Sequence, residues 1–526
     1  MATRTFDGQG NALTATDRNG NTTTYTYNDF NQVATTTNAL NEVINQAYDN
    51  IGRPLIETDA KGYTTEYKYK EEGTGREVIT LRNRIPVLTQ RFNVGGQLVY
   101  QQDANGNKVA HQYDELGNKL LDVHPLSSVT TYRYDNMSNL EFLRDGENKI
   151  TTFEYDVRQQ QEQSTQDGVT THYEYDGMGN LTKTTNGLNH SWVYEYNNRN
   201  RLENIISPDN ITSTHGYDKN GNRTSTLNGK KQTTHWLYDE LNQLETLTYP
   251  GTQVHAYSYD GAGNLKYEVL PNDKQIDFDY DDLNRLEKRT DENGTIAYVY
   301  DKNGNLTTKT ITNTNGQASG SETFTFDNLD RQISKQDIYG NESLFSYDLN
   351  GNQTALNYGW NKNGAVPGVN YSFDAKNRLS RISNNLGSTS LEYYRNDLIK
   401  SKTFTNGITT AYEYDAKNQL TDISHKANNV LMQQQSYVYD DNRNTLQKKE
   451  FNGSSTITTD YLYDSQDRLT NAAYSGDTQA ENNGTATYGY DDNGNRETET
   501  FTDAADVITK NITYGYNNND QLTGFT

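Results

Sequence analysis

The chain has no cysteine, so neither a disulfide framework nor a thiolate metal site holds it together. Proline is scarce, at seven in 526 residues, and only 32% of the chain is hydrophobic. No apolar run approaches the ~20 residues of a membrane helix, and residues 1–10 lack the basic and apolar regions of a secretory signal. Basic residues are also in deficit, 47 against 70 acidic ones, a net charge of −23. Without a basic patch to release counterions, a nucleic-acid partner is excluded. The missing cysteine fits a reducing or an oxidising compartment equally.

Tyrosine is what the chain has, 41 of them, and they recur. Aromatic anchors stand at Phe6, Tyr27, Tyr48, Tyr69, Phe92, Tyr113, Tyr134, Tyr155, Tyr175, Tyr196, Tyr217, Tyr238, Tyr259, Tyr280 and Tyr300, spaced by 21 almost throughout. The series continues through Phe326, Tyr347, Phe373, Tyr394, Tyr414, Tyr439, Tyr463, Tyr490 and Tyr516, with steps of 20 to 27. The chain reads as one array, residues 1–526, of about 24 repeats: regular over 1–300, with longer hairpin loops over 301–526.

One repeat reads as a β-hairpin. In 170–187, Thr171, Tyr173 and Tyr175 share one face at period two, while His172 and Glu174 take the other. Asp176 to Asn180 supplies a turn, Leu181, Lys183 and Thr185 alternate along a returning strand, and Asn186-Gly187 turns the chain again. Two strands and two turns fill 21 residues and leave no room for a helix, so the fold class is all-β. About 48 strands at ~4.8 Å make a contour of roughly 230 Å, so one antiparallel sheet must curl or spiral, as a hollow shell, a barrel or a solenoid. Few aliphatic residues imply thin layers.

Segments such as Tyr113-Asp114-Glu115-Leu116-Gly117-Asn118-Lys119-Leu120, Tyr175-Asp176-Gly177-Met178-Gly179-Asn180-Leu181 and Tyr300-Asp301-Lys302-Asn303-Gly304-Asn305-Leu306 resemble the tyrosine-aspartate (YD) repeat. This is the repeat of bacterial Rhs proteins, toxin-complex C subunits, wall-associated proteins and teneurins. The resemblance spans the whole chain. It implies a hollow shell of spiralling sheet, which in the bacterial toxins encloses a toxin domain. Family toxins also carry an Asp-Pro-containing self-cleavage motif; no Asp-Pro occurs here, so autoproteolysis is not carried over.

The repeated Asp reads as a turn cap, bonding backbone amides two residues on, because catalysis needs a singular carboxylate pair. Asp-x-Asn-Gly-Asn, at 17–21, 103–107, 218–222, 301–305, 348–352 and 491–495, superficially resembles a calcium loop, but Gly stands fourth and no closing Glu recurs. An Asn-Gly turn is the better reading. The eight His show no zinc spacing, and no phosphate loop or nucleophile elbow is present. No catalytic, cofactor-binding or metal-ligating residue is assigned, and no cofactor is expected.

The Tyr-x-Tyr face is expected to form cross-strand ladders, with glycan stacking as the alternative. Trp192, Trp236 and Trp360 break the pattern and are the first choices for a ligand contact, against simple packing. Longer loops are expected at 312–322, 360–370, 425–435, 471–487 and 502–511. Residues 70–96 read as a decayed repeat, and Tyr394 to Leu398 as a turn two residues short. Repeats begin close to Met1 and run into Thr526, so the chain is expected to be a segment of a longer one whose raw ends pair with other chains, with flanking domains or with each other.

The expected protein is a non-enzymatic scaffold of an exported bacterial Rhs-type toxin, secreted or at the cell surface, enclosing or presenting an effector. Its partners would be protein: toxin cargo, flanking domains, or a second copy through sheet edges. The alternative is an adhesion array that binds glycan.

Overall fold

The computed structural model describes residues 2–359 and 368–526. They contain 48 β-strands and no α-helix; the helical turns among the described residues are single 3-10 turns at Pro125–Ser127 and Ala480–Asn482. Within the runs of hairpins the strands pair antiparallel with their neighbours in sequence. Thr22–Tyr27 pairs with Val33–Thr37, which pairs in turn with Val43–Tyr48. Strands of five or six residues predominate before residue 300 outside the stretch Thr64–Phe92, as the period of 21 requires.

The sheet buries little. Leu81, Ile276, Ala472 and Ala486 are the buried hydrophobic residues among those described. Accessible surface totals 29,864 Å², against roughly 19,000 Å² for a compact monomer of this mass. Burial alternates with strand parity: Tyr25 and Tyr27 are half-buried where Thr24 and Thr26 are exposed, and Tyr173 and Tyr175 are half-buried where His172 and Glu174 are exposed. The Tyr-x-Tyr face is the covered one.

Two compact units make up the chain, each from separate stretches. Unit 1 holds Met1–Gln112, Val123–Leu126 and His255–Leu386. Unit 2 holds Tyr113–Asp122, Ser127–Val254 and Gly387–Thr526. In each, an early run of hairpins lies against a late run. The turns that meet are 240 to 274 residues apart in unit 1 and 248 to 286 in unit 2, about a dozen hairpins.

Three readings of the sequence need correction. Residues 70–96 are not decayed: Thr64–Glu72, Gly75–Arg82 and Ile85–Phe92 are long, fully paired strands. Asn83 and Arg84, with φ of 47° and 69°, make a tight primed turn in place of the Asp-led one. Nor is the turn at Tyr394 short. Tyr393 is the anchor, pairing with Ile399 beside the usual register shift, and Tyr394 occupies the Asp position of a normal turn closed by its N–H on the Leu398 carbonyl at 2.8 Å.

The extra residues after 300 mostly lengthen strands instead of loops. Leu306–Asn313 pairs with Ala318–Phe326, and Leu420–Ala427 with the ten-residue Val430–Tyr439. These inserts are rich in Thr, Ile, Val and Gln, which suit a pleated surface, and Lys309 meets Glu322 across the strands at 3.2 Å. A genuine longer loop remains near the 3-10 turn Ala480–Asn482. Of the 360–370 expectation, residues 360–367 lie outside the described residues.

Candidate functional site

The Tyr-Asp phrase builds one recurring turn. At Asp176 the backbone N–H donates to the Asn180 carbonyl at 2.9 Å, and Gly179 N–H donates back to the Asp176 carbonyl at 3.2 Å. Oδ1 accepts the N–H groups of Met178 and Asn180, both at 2.9 Å, and Oδ2 accepts Asn180 Nδ2 at 2.8 Å. These donors, the Asn180 side chain first, hold the carboxyl below its usual range. Three residues after the Asp the backbone is left-handed, at Gly179 (φ 91°), Asn242 (63°) or Asp330 (58°). Gly, Asn and Asp tolerate this conformation best and fill most of these slots, although Ser138 and Gln159 adopt it too. In the Asp-x-Asn-Gly-Asn turns Asp218, Asp301 and Asp491 are engaged in the same way, their oxygens facing N–H donors instead of an open ligand site.

Where the last turn residue is Arg, one side chain does three jobs. Arg285 Nε donates to Asp281 Oδ2 at 2.7 Å, Nη1 reaches the Asp301 carbonyl at 3.2 Å, and the guanidinium lies 4.7 Å from the Tyr300 ring centroid. Arg331 repeats this on Asp327, the Asp348 carbonyl and Tyr347. Each turn is thereby tied to the next along the same rim.

The tyrosine itself acts backwards. Glu195 faces Asn204 but Tyr196 faces Leu202, so Glu203 is left over as a bulge. The Tyr196 hydroxyl donates to the Leu181 carbonyl of the preceding hairpin at 2.9 Å, and burial pushes the phenol pKa up, keeping it a neutral donor. Tyr217 does the same to Leu202, Tyr347 to Gln332 and Tyr490 to Leu469. This revises the expected ladder of rings: contacts such as Tyr394–Tyr414 at 5.9 Å occur, but equivalent tyrosines lie two strands, about 10 Å, apart, beyond stacking range. The hydroxyl instead bonds the first carbonyl of the adjacent strand, Leu181–Thr185, which pairs with the strand that carries Tyr196.

Turns of the early run also meet Tyr-Asp turns of the late run, forming a seam inside each unit. In unit 1, Asn105 Nδ2 donates to Asp348 at 2.9 Å and Asn350 Nδ2 returns the bond to Asp103 at 2.6 Å. Lys61 Nζ lies 2.9 Å from Asp301 and 3.3 Å from Asp330, while Asn303 donates to Asp59 at 2.9 Å. Unit 2 repeats this clamp with Lys230 against Asp491 (2.9 Å) and Asp520 (3.8 Å), and Asn493 accepting the Lys230 N–H at 3.1 Å. Burial works to raise the Asp491 pKa, but the Asn495 amide and the Lys230 ammonium hold it low. The approach is close enough that a Cβ on Gly229 would sit 2.4 Å from the Asp492 carbonyl oxygen. None of these partners was assigned from the sequence.

Trp192 and Trp236 lie in strands. Trp192 lies half-buried opposite Thr184, and Trp236 lies half-buried opposite Leu247 with the Arg223 guanidinium 4.7 Å from its ring centroid. Trp360 lies outside the described residues. Among the histidines, His215 is buried, 3.0 Å from the Thr226 hydroxyl, and burial lowers its pKa.

With this geometry in view, comparison with known proteins gives a consistent result. The Teneurin YD-shell family model matches residues 127–525, and the RHS repeat model matches residues 6–43. The chain belongs to the YD-shell family, as the Tyr-Asp segments indicated. No curated protein matches the sequence. The crystal structure of TcdB2-TccC3 shares the fold with a TM-score of 0.77 at 13% identity, over 100% of this chain and 35% of that one. TcdB2-TccC3-TEV gives 0.76 at 11%, over 98% and 38%. A mutant Photorhabdus luminescens Tc holotoxin pore gives 0.52 at 14%, over 99% and 32%. This chain spans about a third of the length of those chains.

Proposed function

We propose that this chain is wall material: a non-enzymatic section of a β-shell of an exported bacterial Rhs-type toxin that encloses or presents an effector polypeptide. The observation that carries the reading is the use of the repeated carboxylates. The Asp176 type is saturated by turn amides and the Asp491 type by a lysine clamp, so the side chains that recur most are spent on holding hairpins together. The family match and the shared fold with toxin-complex structures support the same reading. Packing of Trp192 and Trp236 within strands favours a container over a glycan-binding surface.

The test is protease protection in the full native gene product. An enclosed effector should resist digestion at neutral pH and become cleavable once the seams are opened by acid or denaturant. An effector cut as fast in the native product as when expressed alone would overturn the proposal.

A further inference from the structure

Asn350 commits its whole carboxamide to the seam of unit 1. Nδ2 donates to Asp103 Oδ2 at 2.6 Å and to Asn377 Oδ1 at 2.8 Å, while Oδ1 accepts the Asn105 N–H at 3.0 Å. The next residue is Gly351, with φ 87°, and a Cβ built there would meet nothing within 4 Å. Asn303-Gly304 and Asn493-Gly494 stand at the same place in their own turns, donating to Asp59 at 2.9 Å and to Asp520 at 3.0 Å. Asn19 and Asn105, donors to Asp260 and Asp348, are followed by glycine as well. The amides that face these carboxylates thus sit on Asn-Gly steps.

Such a step loses its carboxamide readily, because glycine has no Cβ to keep its backbone nitrogen away from the preceding side chain. At Asn350 the Gly351 nitrogen attacks Cγ, the Cγ–Nδ2 bond breaks, and ammonia leaves with the proton of that N–H. Water then opens the cyclic imide to aspartate or its β-linked isomer, releasing one proton. The closed seam opposes this: Gly351 N–H donates to the Asp348 carbonyl at 3.2 Å, and the three side-chain bonds keep Cγ from turning toward it. We propose that Asn350 is a deamidation site gated by the seam, and that the loss of its ammonia makes seam opening one-way. Among the described residues, Asp103 Oδ2 accepts amide donors, from Asn107, Asn350 and Asn377. A carboxylate in place of the Asn350 amide brings that oxygen no proton, and like charges at hydrogen-bonding range repel. At Asn303 and Asn493 the same change is softened, since the Lys61 and Lys230 ammonium groups lie on neighbouring carboxylates.

The turn at 313–317 supplies an internal control. Its backbone matches, with Asn313 N–H on the Gln317 carbonyl at 3.0 Å and Gly316 N–H on the Asn313 carbonyl at 2.9 Å, but Asn315 is exposed. In the native chain held at mildly alkaline pH, peptide mass spectrometry should find Asn315 converted at least about tenfold faster than Asn350, the protection conferred by one hydrogen bond to a charged group. Asn377→Gly keeps the left-handed backbone of that residue (φ 58°) and removes one acceptor, and Asp103→Asn keeps a turn cap and removes the charge. Each should speed conversion of Asn350 and leave Asn315 unchanged. Asn350→Asp, which carries the product's charge, should speed hydrogen exchange in the turns at 103–107 and 348–352, whereas Asn315→Asp should not. Asn350 converting as fast as Asn315, a rate that neither variant changes, or an Asn350→Asp chain whose two turns exchange like the wild type would each overturn the proposal.

Discussion

The Tyr-Asp hairpins and the hairpin Thr64–Arg82 differ by one residue type, and the difference separates two roles. The register shifts between Thr26 and Tyr27, the strand stops at Tyr27 and Asn28 opens a turn. After Tyr69 comes Lys70, and the strand runs on to Glu72 in eight unshifted pairs with Gly75–Arg82. Yet the Tyr69 hydroxyl still reaches the Pro54 carbonyl at 2.9 Å, as Tyr27 reaches Ala12 at 2.8 Å. The Asp or Asn ends the strand and forms the bulged turn; the Tyr ties each hairpin to the one before.

Acid gives the largest expected effect. The turn carboxylates Asp176, Asp135 and Asp327 are held below their ordinary value of 3.8 in the folded chain. Their contribution is therefore fully present above 3.8 and is lost as pH falls below it through the lower folded values. Hydrogen exchange should accelerate first in the Tyr-Asp turns and later in Thr64–Arg82, which has no such cap. Simultaneous acceleration in both would break the comparison.

Asp327→Ala comes next. It removes the acceptor of the Leu329 and Arg331 N–H groups and of Arg331 Nε, and should cost about 2 kcal/mol in urea unfolding. Lys70→Ala, at the corresponding place in the unshifted hairpin, should leave the unfolding midpoint unmoved. Tyr196→Phe should cost about 1 kcal/mol through its lost hydroxyl bond, and Tyr69→Phe the same amount. A neutral Tyr69→Phe beside a costly Tyr196→Phe would show that the tie depends on the turn after all. The smallest effect is expected for Lys70→Asp: its N–H and carbonyl remain committed to pairing with Glu77, so nuclear magnetic resonance should find the strand intact and no new turn.

Much of this organisation is legible in the sequence. The 21-residue period, the all-β class and the Asp as turn cap follow from local pattern, which a hairpin obeys because its partner is a few residues away. What local pattern hides is long range or substituted. Tyr394 filling the Asp slot displaced the anchor by one, and residues 70–96 looked decayed because Lys70 stands where Asp was expected. The Tyr hydroxyl's target required knowing the register between its strand and the adjacent strand of the preceding hairpin. The clamps at Lys61 and Lys230 depend on how many hairpins pass before the chain meets itself, a number no single repeat encodes.

That return is the claim on which the rest depends, and the absence of native cysteine makes it directly measurable. In the double variant Asp59→Cys, Asn303→Cys, the thiols replace side chains that hydrogen bond at 2.9 Å across 244 residues of sequence. Mild oxidation or a short thiol crosslinker, at protein concentrations too low for intermolecular reaction, should join them in nearly every molecule and leave an Asp17→Cys, Asn303→Cys control open. If the first pair stays reduced, or both pairs react alike, the two runs of unit 1 do not lie turn to turn and the account is wrong.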